Sequence, residues 1–375
     1  MTNKCCKAVR IYEMWSWMPA LRRLRLKNVI PMKTCGRSMR AKPDHYILVK
    51  PTVAAACKCC CLLLAIFLLL YGCEIGSRVQ GQYYLHNEKY NEGIETFREK
   101  LKKNAFDPAA HYYMGRYLLA IKRPNDAYPY LREAVALDFK NADYHFWLGV
   151  CYNGLGNLKK ERESYLRSIR FDERHVPAHL YLGHSYLEHS QWEKALNAYD
   201  RVLDLQSDHA QALYNRALTL NQMQRIPEEI AAWIHYLSYY PEGRWAFQAV
   251  DHLNAQGNFD YRTFLIGDFR VVLEKIRFEP ASGFRLEGAQ PSLDVVGSLM
   301  HTNKKFRVKI VSYLSGNKTL AKRRAESVKN YIIAKYPKIN SQRLRVSGIG
   351  SPENVRVGWK HFSLKDSLNF VTLQK

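Results

Sequence analysis

Residues 178–199 read AHLYLGHSYLEHSQWEKALNAY, and this stretch is the clearest copy of a pattern that recurs through the middle of the chain. Its glycine, Gly183, has counterparts 34 and 68 residues earlier, at Gly149 and Gly115. Three further sets of positions keep the same 34-residue period: Leu118, Tyr152, Tyr186 and Leu220; Ala127, Glu161, Ala195 and Glu229; and Leu131, Tyr165, Tyr199 and Trp233. A fixed period of this length indicates a protein built from repeated structural units.

The period, the glycine and the aromatic positions that follow it resemble the tetratricopeptide repeat. That family implies a pair of helices in each copy, with a small residue where they cross and aromatic side chains that pack the next helix. The copies span residues 108–141, 142–175, 176–209 and 210–243. A degenerate fifth copy begins near Cys73, and Trp245–Asn254 is expected to form a capping helix. Because one hairpin cannot bury its apolar face alone, the resemblance implies an all-α solenoid with a continuous core and a concave groove.

The resemblance implies binding of a protein or peptide partner rather than catalysis. Inner-helix positions expected to line the groove are Tyr112, Arg116, Phe146, Asn153, His184, Tyr214 and Asn221. For Phe146 and Tyr214 a second interpretation stays open, since an aromatic side chain at such a position also fills gaps between neighbouring repeats.

Two other features of the repeats favour structural roles. His175 and His179 have the i, i+4 spacing of a metal-binding pair, but Pro177 lies between them and marks a helix start. Cys151 follows Val150 in an apolar helix and is typical of a small buried residue rather than a nucleophile. We therefore expect neither a metal nor a cofactor.

The N-terminal segment carries a targeting signal. Seven of the nine cysteines lie at or before Cys61, which is not the distribution of a disulfide framework. The uncharged run CCCLLLAIFLLLYGC at 59–73 has 15 residues, the length of a signal-peptide core and shorter than the ~20 of a membrane-spanning helix. Its end, Leu70-Tyr71-Gly72-Cys73, resembles the bacterial lipobox, although Tyr71 departs from that pattern. The resemblance implies lipidation at Cys73.

Alternatives at the N-terminus stay open. Initiation at Met39, or an extension with little structure over residues 1–38, would account for the length of the leader. An uncleaved anchor over Val53–Cys73, with Lys58 reaching the interface, is the alternative to lipidation. Both interpretations place residues 74–375 outside the cytoplasm. A metal site in the cluster Cys57–Cys61 is disfavoured, because a second ligand pair at suitable spacing is lacking.

The formal net charge of +23 is distributed unevenly along the chain. It is +11 over residues 1–72, −2 over 73–269 and +14 over 270–375. A hydrophobic content of 47% excludes a wholly disordered chain. The near-neutral middle excludes one continuous basic surface for a polyanion, and the basic C-terminal segment suits an anionic polymer of the envelope. Nucleic acid is not an expected partner, because this segment is expected to lie outside the cytoplasm.

After Gly257 the pattern changes from helical repeats to alternating strands and helices. Runs of β-branched and aromatic residues predict strands at Phe269–Phe278, Phe306–Tyr313, Arg343–Ser347 and Leu368–Leu373. Helical spacing of apolar residues predicts helices at Pro291–His301 and Leu320–Tyr336. This alternation implies an α/β layer with helices packed on a mixed sheet.

The order of these elements resembles the OmpA-like peptidoglycan-binding domain. The strongest match is NKTLAKRRAESV at 317–328, where the family pattern is kept at Asn317, Leu320, Arg324, Ala325 and Val328. In that family the arginine pairs with a carboxylate of the peptidoglycan diamino acid, and an aspartate after a Gly-His-Thr turn holds its ammonium group.

The OmpA-like ligand site is degenerate here. The stretch VSYLSGN at 311–317 contains neither the histidine nor the aspartate of the family. We expect the fold to persist, with only Asn317 and Arg324 left at the peptidoglycan site. Two roles stay open for Arg324: a charge that supports the fold, or a contact with a cell-wall carboxylate.

These observations predict a multidomain protein, an all-α solenoid of tetratricopeptide repeats followed by an α/β domain with an OmpA-like βαβαβ sandwich. The expected domains are a leader over residues 1–73, repeats with a capping helix over 74–256, and the OmpA-like domain over 257–375. No nucleophile elbow, metal-binding helix or phosphate loop is present in the sequence, so we expect no enzyme. The expected function is a membrane-anchored envelope scaffold facing the periplasm, at the outer more than the inner membrane. The alternative is a peptidoglycan-binding outer-membrane lipoprotein with an atypical ligand site.

Overall fold

The structure is a computed structural model that describes residues 76–279, 283, 288 and 290–373. The leader 1–73 lies outside the described residues, and so do the expected lipidation at Cys73 and the alternative anchor over Val53–Cys73. The helices of the repeat segment are α1 (76–86), α2 (Tyr90–Lys103), α3 (Pro108–Ala120), α4 (Pro124–Leu137), α5 (Ala142–Gly154), α6 (Leu158–Phe171), α7 (Val176–Glu188), α8 (Trp192–Leu205), α9 (Ala210–Gln222), α10 (Ile226–Tyr239) and α11 (Arg244–Ala255).

The chain divides into two compact units, residues 1–164 and 165–375, and the division falls within α6. In the first unit α3 packs against α2 and α4, and α4 packs against α5. The glycine of the repeat permits this approach, since a Cβ atom on Gly115 of α3 would lie 2.4 Å from Cγ of Leu131 on α4. The small residue implied at the helix crossing is therefore required here by direct contact.

The second unit contains the remaining repeat helices and the strands. Gly183 of α7 meets Tyr199 of α8 in the same way as Gly115 meets Leu131, and a Cβ atom there would lie 2.7 Å from the ring. Tyr199 and Trp233 are fully buried. Each side chain fills the contact between paired helices that the 34-residue pattern assigns to it, so the repeat pattern and the core coincide.

Local capping explains where the first helix of each copy begins. The caps Asp107 and Asn141 accept hydrogen bonds from the backbone N–H groups of Ala110, at 3.0 Å, and Tyr144, at 3.3 Å. In the second unit the capping residues are histidines. Nδ1 of His175 accepts from Ala178 at 3.1 Å, and Nδ1 of His209 accepts from Ala212 at 3.3 Å. A cap of this kind satisfies a backbone donor that the helix leaves unpaired, provided that the imidazole is neutral.

The remaining elements, all in the second unit, are β1 (Tyr261–Ile266), β2 (Phe269–Glu274), α12 (Gln290–Thr302), β3 (Val308–Leu314), α13 (Lys318–Lys335), a 3₁₀ turn (Ser341–Arg343), β4 (Leu344–Ile349), β5 (Glu353–Val357), β6 (Lys360–Leu364) and β7 (Asp366–Thr372). Strands β4, β3 and β7 form a sheet in that order, with β3 parallel to β4 and antiparallel to β7. Strands β1 and β2 form one antiparallel hairpin, and β5 and β6 form another.

One face of these strands is covered by α12 and α13. The core beneath the two helices contains Leu293, Val328, Ile310 and Phe370, which are buried. Alternate residues of β3 and β7 therefore face this core and the opposite face, as the two-residue period of a strand requires.

The last repeat helix and the first hairpin share one core within the second unit. Val250 and Leu253 of α11 belong to the same buried cluster as Tyr261 of β1 and Val272 of β2. The compact unit thus continues through residues 256 and 257, where the sequence places a domain boundary. That boundary stays a prediction.

The secondary structure predicted for the C-terminal segment is confirmed for most elements. The two helices, the capping helix and the strands at β2, β3, β4 and β7 lie where the patterns place them, within a few residues at their ends. The sequence analysis assigns no strand to β1, β5 or β6. In β5 and β6 exposed polar residues alternate with half-buried ones, so the short hairpin lacks the apolar run that marks a central strand.

Candidate functional site

A cleft in the first unit is lined by the first helices of three successive repeats. It encloses about 460 Å³ and opens between α1, α3 and α5. Its lining residues are Arg78, Val79, Gln82, Tyr112, Tyr113, Asn141, Asp143 and Tyr144. Inner helices are expected to line the concave side of stacked hairpins, and of the seven predicted groove residues Tyr112 is the one that lines this cleft.

Tyrosine rings form one wall of the cleft. The ring of Tyr112 lies 4.9 Å from that of Tyr113 and 4.8 Å from that of Tyr144, measured between centroids. Burial raises the pKa of Tyr112 well above its ordinary value, so the hydroxyl is neutral at physiological pH. Such rings supply large apolar contact area together with a polar group, a combination that suits peptide side chains.

Arg116 lies beside this wall, on the turn of α3 after Tyr112. Its Nη1 donates a hydrogen bond to the Tyr112 hydroxyl at 3.1 Å. Its Cζ lies 4.1 Å from the centroid of the Trp147 ring, so the guanidinium is held against an aromatic face. No carboxylate of the described residues forms an ion pair with it, and its buried Nε has no hydrogen-bond partner in that same part of the chain. The guanidinium is thus a half-buried cation with unused donors.

The structure brings together two of the four predicted groove residues of the first unit, Tyr112 and Arg116. Phe146 is only 4% exposed and its ring lies 5.3 Å from that of Trp147, a position inside the packing of α5. Asn153 is half-buried near the end of α5. Contact between a partner and any of these side chains stays a prediction.

In the second unit the predicted residues already have internal partners. The amide of Asn215 donates to Nε2 of His184 at 3.0 Å, and burial, with a smaller effect of His209, lowers the pKa of His184 to about 4. The Tyr214 hydroxyl donates to Gln248 at 2.8 Å. Asn221 donates to the fully buried Glu229 at 2.9 Å. These hydrogen bonds connect different helices, so each side chain contributes to the packing of the repeats.

Arg324 and Asn317, the two residues expected at an OmpA-like ligand site, both make structural contacts. Asn317 caps α13, its side chain accepting from the backbone N–H of Leu320 at 2.9 Å. Nη1 of Arg324 donates to Asp366 at 2.8 Å, and its Cζ lies 4.9 Å from the centroid of the Phe278 ring. Arg324 therefore has an acidic counterpart, supplied by the start of β7 instead of the family's loop. A role of either residue toward peptidoglycan stays a prediction.

A second buried ion pair in the same unit was missed by the sequence analysis. Arg262 of β1 forms two hydrogen bonds of 2.8 Å with Glu353 of β5, and Ser367 and Asn369 of β7 donate to the same carboxylate at 2.6 and 2.7 Å. Burial alone would raise the pKa of Glu353, but these hydrogen bonds and the charge of Arg262 outweigh it, so the pKa lies below its usual value. In the sequence Glu353 is a lone acidic residue directly after Gly350-Ser351-Pro352, and this context is too general to predict an ion pair with Arg262.

The structure describes residues 76–279, 283, 288 and 290–373, and the statements about metal sites and membrane spans concern these residues. No group of three or more His, Cys, Asp or Glu side chains is arranged there to hold a metal ion. In the same residues no helix has both the length and the apolar character needed to cross a bilayer. Cys151 is buried and unbridged, and burial raises the pKa of its thiol to about 12, which disfavours the thiolate.

Comparison with known proteins supports the repeat assignment. A family model described as tetratricopeptide repeat matches residues 78–138, 114–174 and 180–236. Residues 78–236 are an array of tetratricopeptide repeats. The predicted fold class is thereby confirmed for the helical part of the chain, and proteins of this type mediate protein–protein interactions and are typically scaffolds without catalytic activity.

The individual relatives described below each cover less than half of this chain. Heat shock protein STI1 of Saccharomyces cerevisiae is 27% identical over 184 residues, covering 40% of this chain and 31% of that protein. Tetratricopeptide repeat protein 1 of Schizosaccharomyces pombe is 21% identical over 129 residues, covering 34% of this chain and 12% of that protein. The chain thus spans less than a third of the length of each. The solved structure of YrrB, described as a tetratricopeptide repeat protein with an unusual peptide-binding site, is 16% identical, with a TM-score of 0.40, and covers 47% of this chain and 91% of its own.

Proposed function

We propose that this protein is a non-enzymatic scaffold of the bacterial cell envelope. The repeats bind a protein partner, the N-terminal segment attaches the chain to a membrane, and the OmpA-like segment docks at the cell wall or another envelope component. The observation that carries the proposal is the tyrosine-lined cleft, whose wall residue Tyr112 accepts a hydrogen bond from the half-buried guanidinium of Arg116 beside the cleft.

The guanidinium of Arg116, which lies beside the cleft and contacts Tyr112 of its lining, favours a peptide that carries an acidic group. A guanidinium with unused donors in a partly desolvated site gains most from a carboxylate, which accepts charge-assisted hydrogen bonds. Trp147 and Tyr112 hold the guanidinium in place, so little side-chain freedom remains to be lost on binding. The rings of Tyr112 and Tyr144 then provide apolar contact for the neighbouring peptide residues.

The location in the envelope rests on the sequence. The signal-like run, the lipobox-like end at Cys73 and the resemblance to the OmpA-like domain all favour a chain that is exported and faces the periplasm. Lipidation at Cys73 would favour the outer membrane. The alternation of strands and helices over residues 261–372 accords with an OmpA-like α/β sandwich.

A docking role of the OmpA-like segment is preferred to recognition of peptidoglycan at the family's site. The Arg324 guanidinium, which would have to bind the carboxylate of the diamino acid, is buried against Phe278 and paired with Asp366. A ligand carboxylate would have to displace Asp366. The sequence also lacks the aspartate that in the OmpA-like family binds the ammonium group of the diamino acid.

The proposal is tested by capture of partners from solubilised envelopes with the full-length protein. Arg116→Ala is compared with Arg98→Ala, whose arginine is exposed on α2 and paired only with Glu95 of the same helix. We expect a discrete set of proteins to be retained by the wild type and by the Arg98 variant and lost from the Arg116 variant. Identical sets from all three proteins would contradict binding in the cleft.

A further inference from the structure

The outer face of the C-terminal strands, opposite α12 and α13, carries a row of five side chains. Register places Lys309 of β3 between Arg345 of β4 and Val371 of β7. On the hairpin, Leu265 of β1 is paired with Arg270 of β2. The Thr372 hydroxyl donates to the carbonyl of Leu265 at 3.0 Å, so β1 continues the row beyond β7. We name these residues, in the order Arg270, Leu265, Val371, Lys309 and Arg345, the outer-face row.

The face to which these side chains belong follows from the alternation along each strand. Ile266, Ile310, Leu344 and Phe370, their neighbours in sequence, belong to the buried core under the helices. Side chains one position away must therefore lie on the opposite face. The row runs across the three-stranded sheet β4-β3-β7 and the neighbouring β1-β2 hairpin, which the Thr372 side chain links to β7.

The row is open to solvent at its apolar centre. Leu265 is 62% exposed and Val371 is 46% exposed, although both are aliphatic residues of a paired strand. Arg345 and Arg270 are exposed and Lys309 is half-buried. Two exposed aliphatic side chains in the middle of the row, with cations on both sides, form an amphipathic surface.

The cations of the row are mostly unpaired. Arg270 is partly compensated, because it lies 4.0 Å from Asp251 and its Cζ lies 4.4 Å from the centroid of the Phe247 ring. Among the described residues, neither Lys309 nor Arg345 forms an ion pair with a carboxylate. Arg307 extends the row on the same side, since its carbonyl accepts from the backbone N–H of Leu373 at 2.8 Å and it is exposed. The surface therefore presents positive charge around an apolar centre.

We propose that the outer-face row docks onto the surface of an anionic phospholipid bilayer. Cationic side chains reach lipid phosphates while Leu265 and Val371 enter the boundary between headgroups and acyl chains. The complementarity of charge favours this partner, and so do the two exposed aliphatic side chains that lie between the cations. Nucleic acid is disfavoured because the exposed apolar side chains of the row are aliphatic and offer no ring on which a base stacks.

This inference deepens the docking role proposed above for the C-terminal segment and rests on it. It concerns β1, β2, β3, β4 and β7, whereas partner capture by the cleft concerns residues 78–147. The two experiments therefore test different surfaces, and a negative result for lipid binding does not count against partner binding at the cleft.

The test locates lipid at the row itself, so that any other attachment of the full-length chain to the membrane does not interfere. Leu265 is replaced by the photo-crosslinking residue p-benzoylphenylalanine, and Asn330, exposed on α13 beyond the other face, is replaced in a matched protein. Each is mixed with vesicles of phosphatidylcholine alone or of equal parts phosphatidylcholine and phosphatidylglycerol, irradiated and analysed by mass. We expect phospholipid adducts at position 265 with the anionic vesicles, and at least about tenfold fewer with neutral vesicles or at position 330.

Charge variants make the test specific to the row. Lys309→Glu with Arg345→Glu is expected to reduce adducts at position 265 at least about tenfold, and the milder Lys309→Gln with Arg345→Gln is expected to reduce them less. The matched control, Lys322→Glu with Arg323→Glu, makes the same change in net charge on exposed positions of α13 and is expected to leave them unchanged. Equal adducts with both vesicle types, adducts insensitive to the row variants, or crosslinks to protein or cell-wall peptide instead of lipid would each overturn the proposal. Thermal unfolding of the variants shows that the comparison is made on folded protein.

Discussion

The guanidinium of Arg324 and the carboxylate of Asp366 lie 2.8 Å apart, although 42 residues separate them in sequence. The side chain of Arg324 is only 4% exposed, while that of Asp366 is 43% exposed. The pair joins α13 to the start of β7, and the Phe278 ring lies against the guanidinium. Arg324, which matches the arginine that binds a ligand carboxylate in the OmpA-like family, thus forms its ion pair with the protein's own Asp366.

We expect Asp366→Asn to destabilise the local structure of α13 by about 1–2 kcal/mol, because a hydrogen-bonded charge partner is removed from a buried cation. The exposure of Asp366 keeps this value below that of a fully buried pair. Native-state hydrogen exchange of α13 amides measures the change. Glu326→Gln, at an exposed pair with Lys322 of 4.0 Å, is the control and should cost less than about 0.5 kcal/mol. Equal effects of the two variants would refute a structural role for the pair.

The Arg262–Glu353 pair gives a second prediction. Glu353→Gln should cost about 3 kcal/mol, since it leaves a largely buried guanidinium without its charge partner. Because the folded-state pKa of Glu353 is lowered, its stabilisation is present above its unfolded pKa and is lost as the pH falls through the folded value. In the wild type the protection of β5 and β6 amides from hydrogen exchange should therefore decrease at acidic pH. In the variant this acid-dependent decrease in protection should be absent. An unchanged pH profile would argue against this assignment.

The histidines of the second unit predict sensitivity to mild acid. Burial lowers the pKa of His179, His209 and His252, and lowers that of His184 to about 4. When the folded-state pKa of a histidine is lowered, the unfolded chain takes up its proton at a higher pH than the folded chain does. The contribution of these histidines to the free energy of unfolding is therefore fully present above about pH 6.5 and decreases as the pH falls toward 4. We expect thermal unfolding temperatures to fall steeply between pH 6.5 and 5.

The matched variant for this effect is His209→Asn. Asparagine keeps a side chain that can cap α9 but does not titrate. The slope of unfolding temperature against pH should become shallower, with little change above pH 7. A slope identical to that of the wild type would show that the cap does not contribute to acid sensitivity.

The close contact at the helix crossing predicts the effect of a single methyl group. Gly183→Ala places a Cβ atom 2.7 Å from the Tyr199 ring and should destabilise the second unit by about 1–3 kcal/mol, despite the higher helix propensity of alanine. Urea unfolding measures this. Adding Tyr199→Leu makes space, so the alanine should cost less in that background than in the wild type. Additive effects of the two changes would contradict direct contact.

The repeat pattern could be predicted well because each contact it describes is local or recurs every 34 residues. The copies predicted to begin at residues 108, 142, 176 and 210 coincide with the first residues of α3, α5, α7 and α9. Tyr112 and Arg116 are one helical turn apart, so their contact also follows from the sequence. Trp147, whose ring packs against the Arg116 guanidinium, belongs to the next repeat.

The pairs that could not be predicted join distant positions without a period. Glu353 lies 91 residues from Arg262, and Asp366 lies 42 residues from Arg324. Charged residues are common on surfaces, so nothing in one sequence distinguishes a carboxylate that becomes buried against a particular arginine. Because β5 and β6 are rich in polar residues, the strand that contains Glu353 could not be predicted from the sequence.

The central claim is that the first unit binds its partner at the tyrosine-lined cleft, and that Arg116 beside the cleft pairs with an acidic group of that partner. The most direct measurement is the dissociation constant of the captured partner for the full-length wild type, Arg116→Ala and Arg98→Ala, determined by titration calorimetry at two salt concentrations. We predict at least about tenfold weaker binding by the Arg116 variant, because its ion pair with the partner beside the cleft is lost, and unchanged binding by the Arg98 variant. Equal dissociation constants for all three proteins would contradict it.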